Sequence, residues 1–213
     1  MQDDRPTIPD AFLRPYDPST SEPDVYRQWE ASGFFNPDEC IKAGITSPEA
    51  EPFSIVLPPP NVTGTLHMGH AAMLAVEDIL VRYHRMTGKR TLWIPGTDSA
   101  AVATSEKVEK ELYKKEKRNR HDLGREAFLA RVAAFAEESK ETIITQTKRM
   151  GSSLDWSRYA YTLDEPRYEA VMEAFIRMYN DGLIYRGHRI VNWDPKMQTA
   201  ISDDEVAYVE QSE

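Results

Sequence analysis

Three consecutive prolines, Pro58, Pro59 and Pro60, close the short apolar run FSIVL (53–57) and open the segment NVTGTLHMGH (61–70). Proline donates no backbone hydrogen bond and biases the residue before it towards extended conformation, so these prolines end a strand and carry the chain away from it. FSIVL, mostly apolar and partly β-branched, reads as a buried strand of a parallel sheet. From about Leu66 to Met86 the apolar residues Met73, Val76, Leu80 and Tyr83 recur at three and four, with Gly88 behind them, which predicts an amphipathic helix of several turns. TLWIP (91–95) reads as a second strand, and Gly96-Thr97-Asp98 bends away at its end. Strand, loop, helix and strand in this order make a right-handed βαβ unit, with the proline loop at the carboxyl edge where open α/β sheets bind ligands.

Around this unit the pattern is helical. DVYRQWEASGFF (24–35) places Val25 and Trp29 four apart before Gly33, a short helix with a glycine stop on the outside of the domain. A longer helix is predicted from about Asp122 to Met150, with Phe128, Val132 and Phe135 on one face and Gly151 as its stop. Another starts near Asp164 and Pro166 and carries Val171, Phe175 and Met178 towards Gly182. LIYRGHRIVNW (183–193) reads as a strand with a basic edge of Arg186, His188 and Arg189, and ISDDEVAYVEQSE (201–213) alternates like one more. Trp156 and Trp193 read as core residues.

Charge and cysteine content narrow the function classes. A formal net charge of −9 argues against a general nucleic-acid coat and leaves KKEKRNR (114–120) as a solvated loop or a local basic surface. The single cysteine, Cys40, excludes an internal disulfide or a multi-cysteine zinc site and suits a reducing compartment. No secretory leader and no run of eighteen apolar residues occurs, so the expectation is a cytoplasmic chain without a membrane partner.

The chemistry concentrates in one place. His67 and His70, three apart at a helix start, put two imidazoles on one face beside amides that lack intrahelical partners. Those amides, the helix dipole and two ring N–H groups favour an anion, and Gly69 between them allows a base or ribose close to the backbone. Thr63 and Gly64 lead in on a flexible turn. This is phosphate chemistry without a P-loop, since neither GxxxxGK[ST] nor GxGxxG occurs. Two other readings stand beside it: half of a metal site, although no cysteine pair or HExxH accompanies the histidines, and a pair of helix caps without a ligand.

PPPNVTGTLHMGH resembles the HIGH signature of the class I aminoacyl-tRNA synthetases, in the form carried by the valyl branch. YDP (16–18), WIPGTD (93–98), RHDLGREAFL (120–129), SLDWSR (153–158), DGLIYRG (181–187) and NWDPKMQTAISDDEV (192–206) extend the resemblance over nearly the whole chain. It implies an α/β fold, a Rossmann-like nucleotide-binding domain of the HUP type with helices flanking a parallel sheet. It implies activation of an amino acid with ATP and magnesium, then transfer to tRNA, with valine and tRNA(Val) as partners and a monomeric full-length parent. By motif position His67 and His70 would be catalytic and, with Thr63, Gly64 and Gly69, would bind ATP. Pro58 and Asn61 would shape the amino-acid pocket, Asp98 would accept the substrate ammonium, and no residue would hold a resident metal. Capping the next helix is the plainer role open to Asp98.

The resemblance has gaps. Ser99, Ala101 and Ser105 stand where family members commonly carry histidine, glycine and a glutamine or glutamate. The family's second signature, KMSKS, is absent, and KMQTA (196–200) does not replace it. The expected organisation is a lead and clamp helix over 1–50, the first half of the catalytic domain over 51–189, and the start of an editing insertion over 190–213. An isoleucyl-type enzyme and a nucleotide- or tRNA-binding fragment without activity remain the alternatives.

Overall fold

The computed structural model describes residues 9–13 and 15–210. Its chain divides into two compact units, residues 1–168 and 169–213. Asp17 starts the first helix: its carboxylate accepts the Ser19 N–H at 2.9 Å and Pro18 takes the first helical position, where its missing donor costs nothing. This capping pair starts α1 (Pro18–Ser32) well before Val25, and Gly33 ends it with a left-handed φ of 73°. A short α2 (Pro37–Lys42) follows on an Asn36 cap.

The βαβ unit has the predicted order. β1 (Pro52–Val56) leads through the proline loop into α3 (Met68–Met86) and back to β2 (Arg90–Ile94), and the two strands pair in parallel from Pro52 with Arg90 to Val56 with Ile94. The path of β2 continues into β3 (Gly96–Thr97) and turns into α4 (Ala101–Glu116), α5 (Arg120–Leu123) and α6 (Arg125–Arg149). β4 (Ala160–Tyr161) then pairs in parallel with β3.

Here the predicted boundaries need correction. Gly124, at φ 85°, breaks the single helix expected from Asp122 to Met150 into α5 and α6. KKEKRNR is a loop only in part: Lys114, Lys115 and Glu116 end α4, residues 117–119 form the exposed connection, and Asn119 caps α5. It is not a bare basic patch, because Lys115 pairs with Glu111 at 3.4 Å and Arg120 with Glu109 at 3.9 Å. The α4 signal was Val108 and Leu112, one turn apart and both buried against Phe128.

The face of α3 also differs. Val76, Leu80 and Tyr83 are exposed, while Leu74 and Val81 are buried against Leu57, Trp93 and Leu154. The inner face is interrupted by polar residues that find partners inside, which hides it from a hydrophobic pattern. Glu77 accepts from Trp93 Nε1 at 3.0 Å, and Asp78 accepts from the Ser153 amide at 3.0 Å and hydroxyl at 2.6 Å. Arg85 donates to the Ser153 hydroxyl and carbonyl at 2.5 and 2.9 Å and to the Phe35 carbonyl at 3.2 Å. α3 thus holds loop 151–157 and the turn after α1 through hydrogen bonds as much as through apolar contact.

α7 (Glu165–Asn180) runs across the boundary between the units, with Val171, Phe175 and Met178 exposed along it. In the second unit β5 (Asn192–Asp194) and β6 (Thr199–Ile201) form an antiparallel pair. The strand expected over 183–193 shrinks to β5, because residues 183–191 have no ladder partner among the described residues. The alternation expected over 201–213 yields only the end of β6, a 3-10 turn at Asp203–Glu205 and irregular chain; residues 211–213 lie outside the described ones. Trp156 packs against the core as expected, but Trp193 is 57 % exposed.

If Arg85 is the tie between α3 and loop 151–157, Arg85→Met should remove about 3 kcal/mol of stability by leaving buried acceptors unpaired. Urea denaturation of the chain checks this, and a loss no larger than a surface substitution gives would refute it.

Candidate active site

The site is built where the β1–β2 ladder breaks and rejoins. Leu57 N–H donates to the Ile94 carbonyl at 3.1 Å as the last regular rung. Pro58 to Pro60 then have no donors, so the two paths part. Pairing resumes when Asp98 N–H donates to the Pro60 carbonyl and Val62 N–H to the Asp98 carbonyl, both at 2.9 Å, closing a parallel bridge between Asn61 and Asp98. Val62, fully buried against Ala136 and Ile143, anchors the loop. Pro58 and Asn61 from one strand end and Asp98 from the other therefore meet at one carboxyl edge.

Beyond the bridge the loop turns sharply. Thr63 N–H donates to the Asn61 carbonyl at 2.8 Å, and Gly64 adopts a φ of 144° that side chains rarely take. Leu66 N–H is held by Gln146 Oε1 of α6 at 2.8 Å. His67 is the N-cap of α3: its Nδ1 accepts the Gly69 N–H at 3.1 Å, while His70 Nδ1 accepts the His67 N–H at 3.2 Å. The two rings lie 3.9 Å apart.

The histidines are thus helix caps, and that role fixes their chemistry. A neutral imidazole that accepts at Nδ1 carries its proton on Nε2, so each ring keeps one N–H donor for a ligand. Burial first, and the neighbouring His67 ring second, lower the pKa of His70 and favour this neutral form. Gly69 serves the cap: a Cβ there would lie 2.8 Å from His67 Cε1 and 3.0 Å from Nδ1. The space expected for a base or ribose over Gly69 is therefore filled by the His67 ring.

Asp98 does not cap α4. The N-cap of that helix is Ala100, left-handed at φ 45° and without a side-chain cap hydrogen bond. The Asp98 carboxylate instead accepts from Thr162 Oγ1 at 2.7 Å. Neither Thr162 nor Gln146 carried a sequence signal, since a lone threonine after a short strand and a glutamine within a long helix match no motif. Arg158 pairs with Asp38 at 2.5 Å and Asp155 at 3.1 Å.

The site is an open edge. A separate cavity of about 780 Å³ lies between Tyr16, Tyr26 and Trp29 on one side and Lys148 to Gly151 on the other, apart from these residues. Among the described residues no three His, Cys, Asp or Glu converge as metal ligands, and no helix is long and apolar enough to cross a membrane.

A family model described as tRNA synthetases class I (I, L, M and V) matches residues 24–213. The valine–tRNA ligases of Xanthomonas axonopodis pv. citri and Rhizobium meliloti are 52 % and 50 % identical to this chain, each over 92 % of it. The chain spans only about 20 % of the length of either relative. Among solved structures it resembles the LeuRS of Agrobacterium radiobacter K84, crystallised in a ternary complex with tRNA and LeuAMS, with a TM-score of 0.73 and 22 % identity over 91 % of this chain and 22 % of that one. This likeness bears on the fold alone, a Rossmann-like α/β arrangement with parallel strands and flanking helices.

Two outcomes test the cap. Gly69→Ala should cost about 1 kcal/mol in urea denaturation by displacing the His67 ring, yet become neutral or stabilising in a His67→Ala background, where alanine simply favours the helix. For His70, a folded pKa lowered from 6.5 means that the unfolded chain binds the proton more tightly. Its contribution is whole above 6.5 and is lost as the pH falls through that value towards the lower folded one. Thermal melts across this range should show a steeper acid loss for the parent chain than for His70→Gln, which keeps a capping side chain without titrating.

Proposed function

The chain belongs to the class I tRNA synthetases (I, L, M and V), and from that membership we propose that it is the amino-terminal part of the catalytic domain of a valine–tRNA ligase. One juxtaposition carries the reading: the Asn61–Asp98 bridge brings Pro58, Asn61 and Asp98 to the strand edge from which the histidine-capped helix starts. A small apolar amino acid would rest against Pro58 and Asn61, with its ammonium on Asp98. ATP would lie over Thr63, Gly64 and Gly69, its approach to Gly69 requiring the His67 ring to shift.

In this reading the Nε2–H groups of His67 and His70 donate to phosphate oxygens while the valine carboxylate attacks the α-phosphorus and pyrophosphate leaves. Donors presented from one helix start stabilise the charge that develops there and need no covalent intermediate on the protein. Magnesium would accompany the ATP phosphates and offset their charge. The valyl group then passes to the 3′ end of tRNA(Val). The full-length protein would act as a cytoplasmic monomer, and residues 190–213 would begin its editing insertion, the second sieve that an apolar pocket needs against threonine.

Pyrophosphate exchange by the full-length ligase decides the matter, with valine, isoleucine and threonine supplied separately. Valine should turn over best, and His67→Ala or His70→Ala should each lower kcat about a hundredfold by removing a transition-state donor. Best turnover with isoleucine would overturn the substrate, and unchanged kcat in both variants would overturn the phosphate role.

A further inference from the structure

Asp98 is held from outside its own strand, and the residue that holds it lies beyond every motif in the chain. Thr162 Oγ1 stands 2.7 Å from Asp98 Oδ1 and 2.9 Å from the Ser99 amide nitrogen. An amide can only donate and a carboxylate can only accept, so the single hydroxyl proton is committed to Asp98 while a hydroxyl lone pair takes the Ser99 N–H. Asp98 Oδ2 has no hydrogen-bond partner among the described residues. One carboxylate oxygen is thus fixed and the other left for a cation.

The backbone under Thr162 does not depend on its hydroxyl. Thr162 N–H donates to the Thr97 carbonyl at 3.1 Å, Ala160 N–H to the Pro95 carbonyl at 3.3 Å, and Tyr161 N–H to Asp164 Oδ2 at 3.1 Å. The hydroxyl is therefore an addition to a β3–β4 junction already tied. It acts where rigidity is needed, because the chain reverses directly after Asp98 through left-handed Ala100, and the same turn is braced by Thr104 Oγ1 on the Ser99 carbonyl at 2.7 Å.

We propose that Thr162 is a positioning residue for amino-acid binding: its hydroxyl, bonded to Asp98 Oδ1 and the Ser99 amide, aims Asp98 Oδ2 at the substrate ammonium. This rests on the reading of Asp98 as the ammonium acceptor. The charge-assisted bond holds the carboxylate in one rotamer before substrate arrives, so its loss weakens amino-acid binding and leaves nucleotide binding in place.

The test is steady-state pyrophosphate exchange by the full-length ligase with Thr162→Val, Thr162→Ser, Asp98→Asn and the Thr162→Val/Asp98→Asn double variant. Thr162→Val should raise KM for valine about tenfold while KM for ATP stays within about twofold, as expected for loss of one hydrogen bond to a charged group. Thr162→Ser should restore the parent value. In the Asp98→Asn background Thr162→Val should add nothing, since a residue that acts through another is silent once its target is altered. Should Thr162→Val not fold, Thr162→Cys, whose thiol is a poor donor, must show the same selective rise. An unchanged KM for valine in Thr162→Val alongside a raised one in Asp98→Asn would overturn the positioning role and leave the Asp98 reading intact. Additive effects in the double variant would overturn it too, and an unchanged KM in Asp98→Asn would overturn the Asp98 reading and the inference with it.

Discussion

Two hydrogen bonds, from the Asp98 amide to the Pro60 carbonyl and from the Val62 amide to the Asp98 carbonyl, reconnect the β1 and β2 paths after three prolines have parted them. Without the break there would be no loop, because an uninterrupted ladder would run straight past this edge. Without the reconnection Pro58 and Asn61 would have no fixed relation to Asp98. The prolines thus remove donors where the strands must separate, and Val62 buries its side chain where they must meet again.

The helix that leaves this loop depends on the same economy. α3 begins at amides with no intrahelical partners, and two imidazoles meet that need with their Nδ1 atoms. Capping and ligand binding are often set against each other as readings of such a pair. Here capping leaves a donor in place, since a neutral ring that accepts at Nδ1 keeps its proton on Nε2, while the His67 ring itself covers Gly69. Further along, α3 is held on its inner face by Glu77, Asp78 and Arg85 as well as Leu74 and Val81, so the loop carrying Ser153 is fixed against the helix that presents the histidines.

What could be read from the chain alone follows from which forces leave a local trace. Strand FSIVL, its proline stop and the helix behind it rest on backbone chemistry and short-range pattern, and all three stand where the spacing puts them, but the strand is not the buried one its composition predicts, since Val56 is exposed and Phe53 and Ile55 are only half-buried. The buried face of α3 was misread because its polar residues are satisfied by Trp93 and Ser153, distant in sequence. Residues 183–191 have strand composition but no partner, and strand formation is a pairwise event that composition does not report. At the site, the histidine pair carries a signal in residue type and spacing and Asp98 only in the resemblance of its motif, while Thr162 has none, because its bond to Asp98 arises only where β4 meets β3.

Whether the two strand ends and the capped helix form one site is open to direct measurement. Nuclear magnetic resonance of this chain, titrated with a valyl-adenylate analogue, reports the His67 and His70 Nε2 resonances together with the Asn61 and Asp98 amides. All four should shift along a single saturation curve with one Kd, with both histidines in the Nε2–H tautomer before ligand is added. Histidine shifts that saturate apart from those of Asn61 and Asp98, or rings protonated at Nδ1 in the free chain, would contradict a single site built on the Asn61–Asp98 bridge.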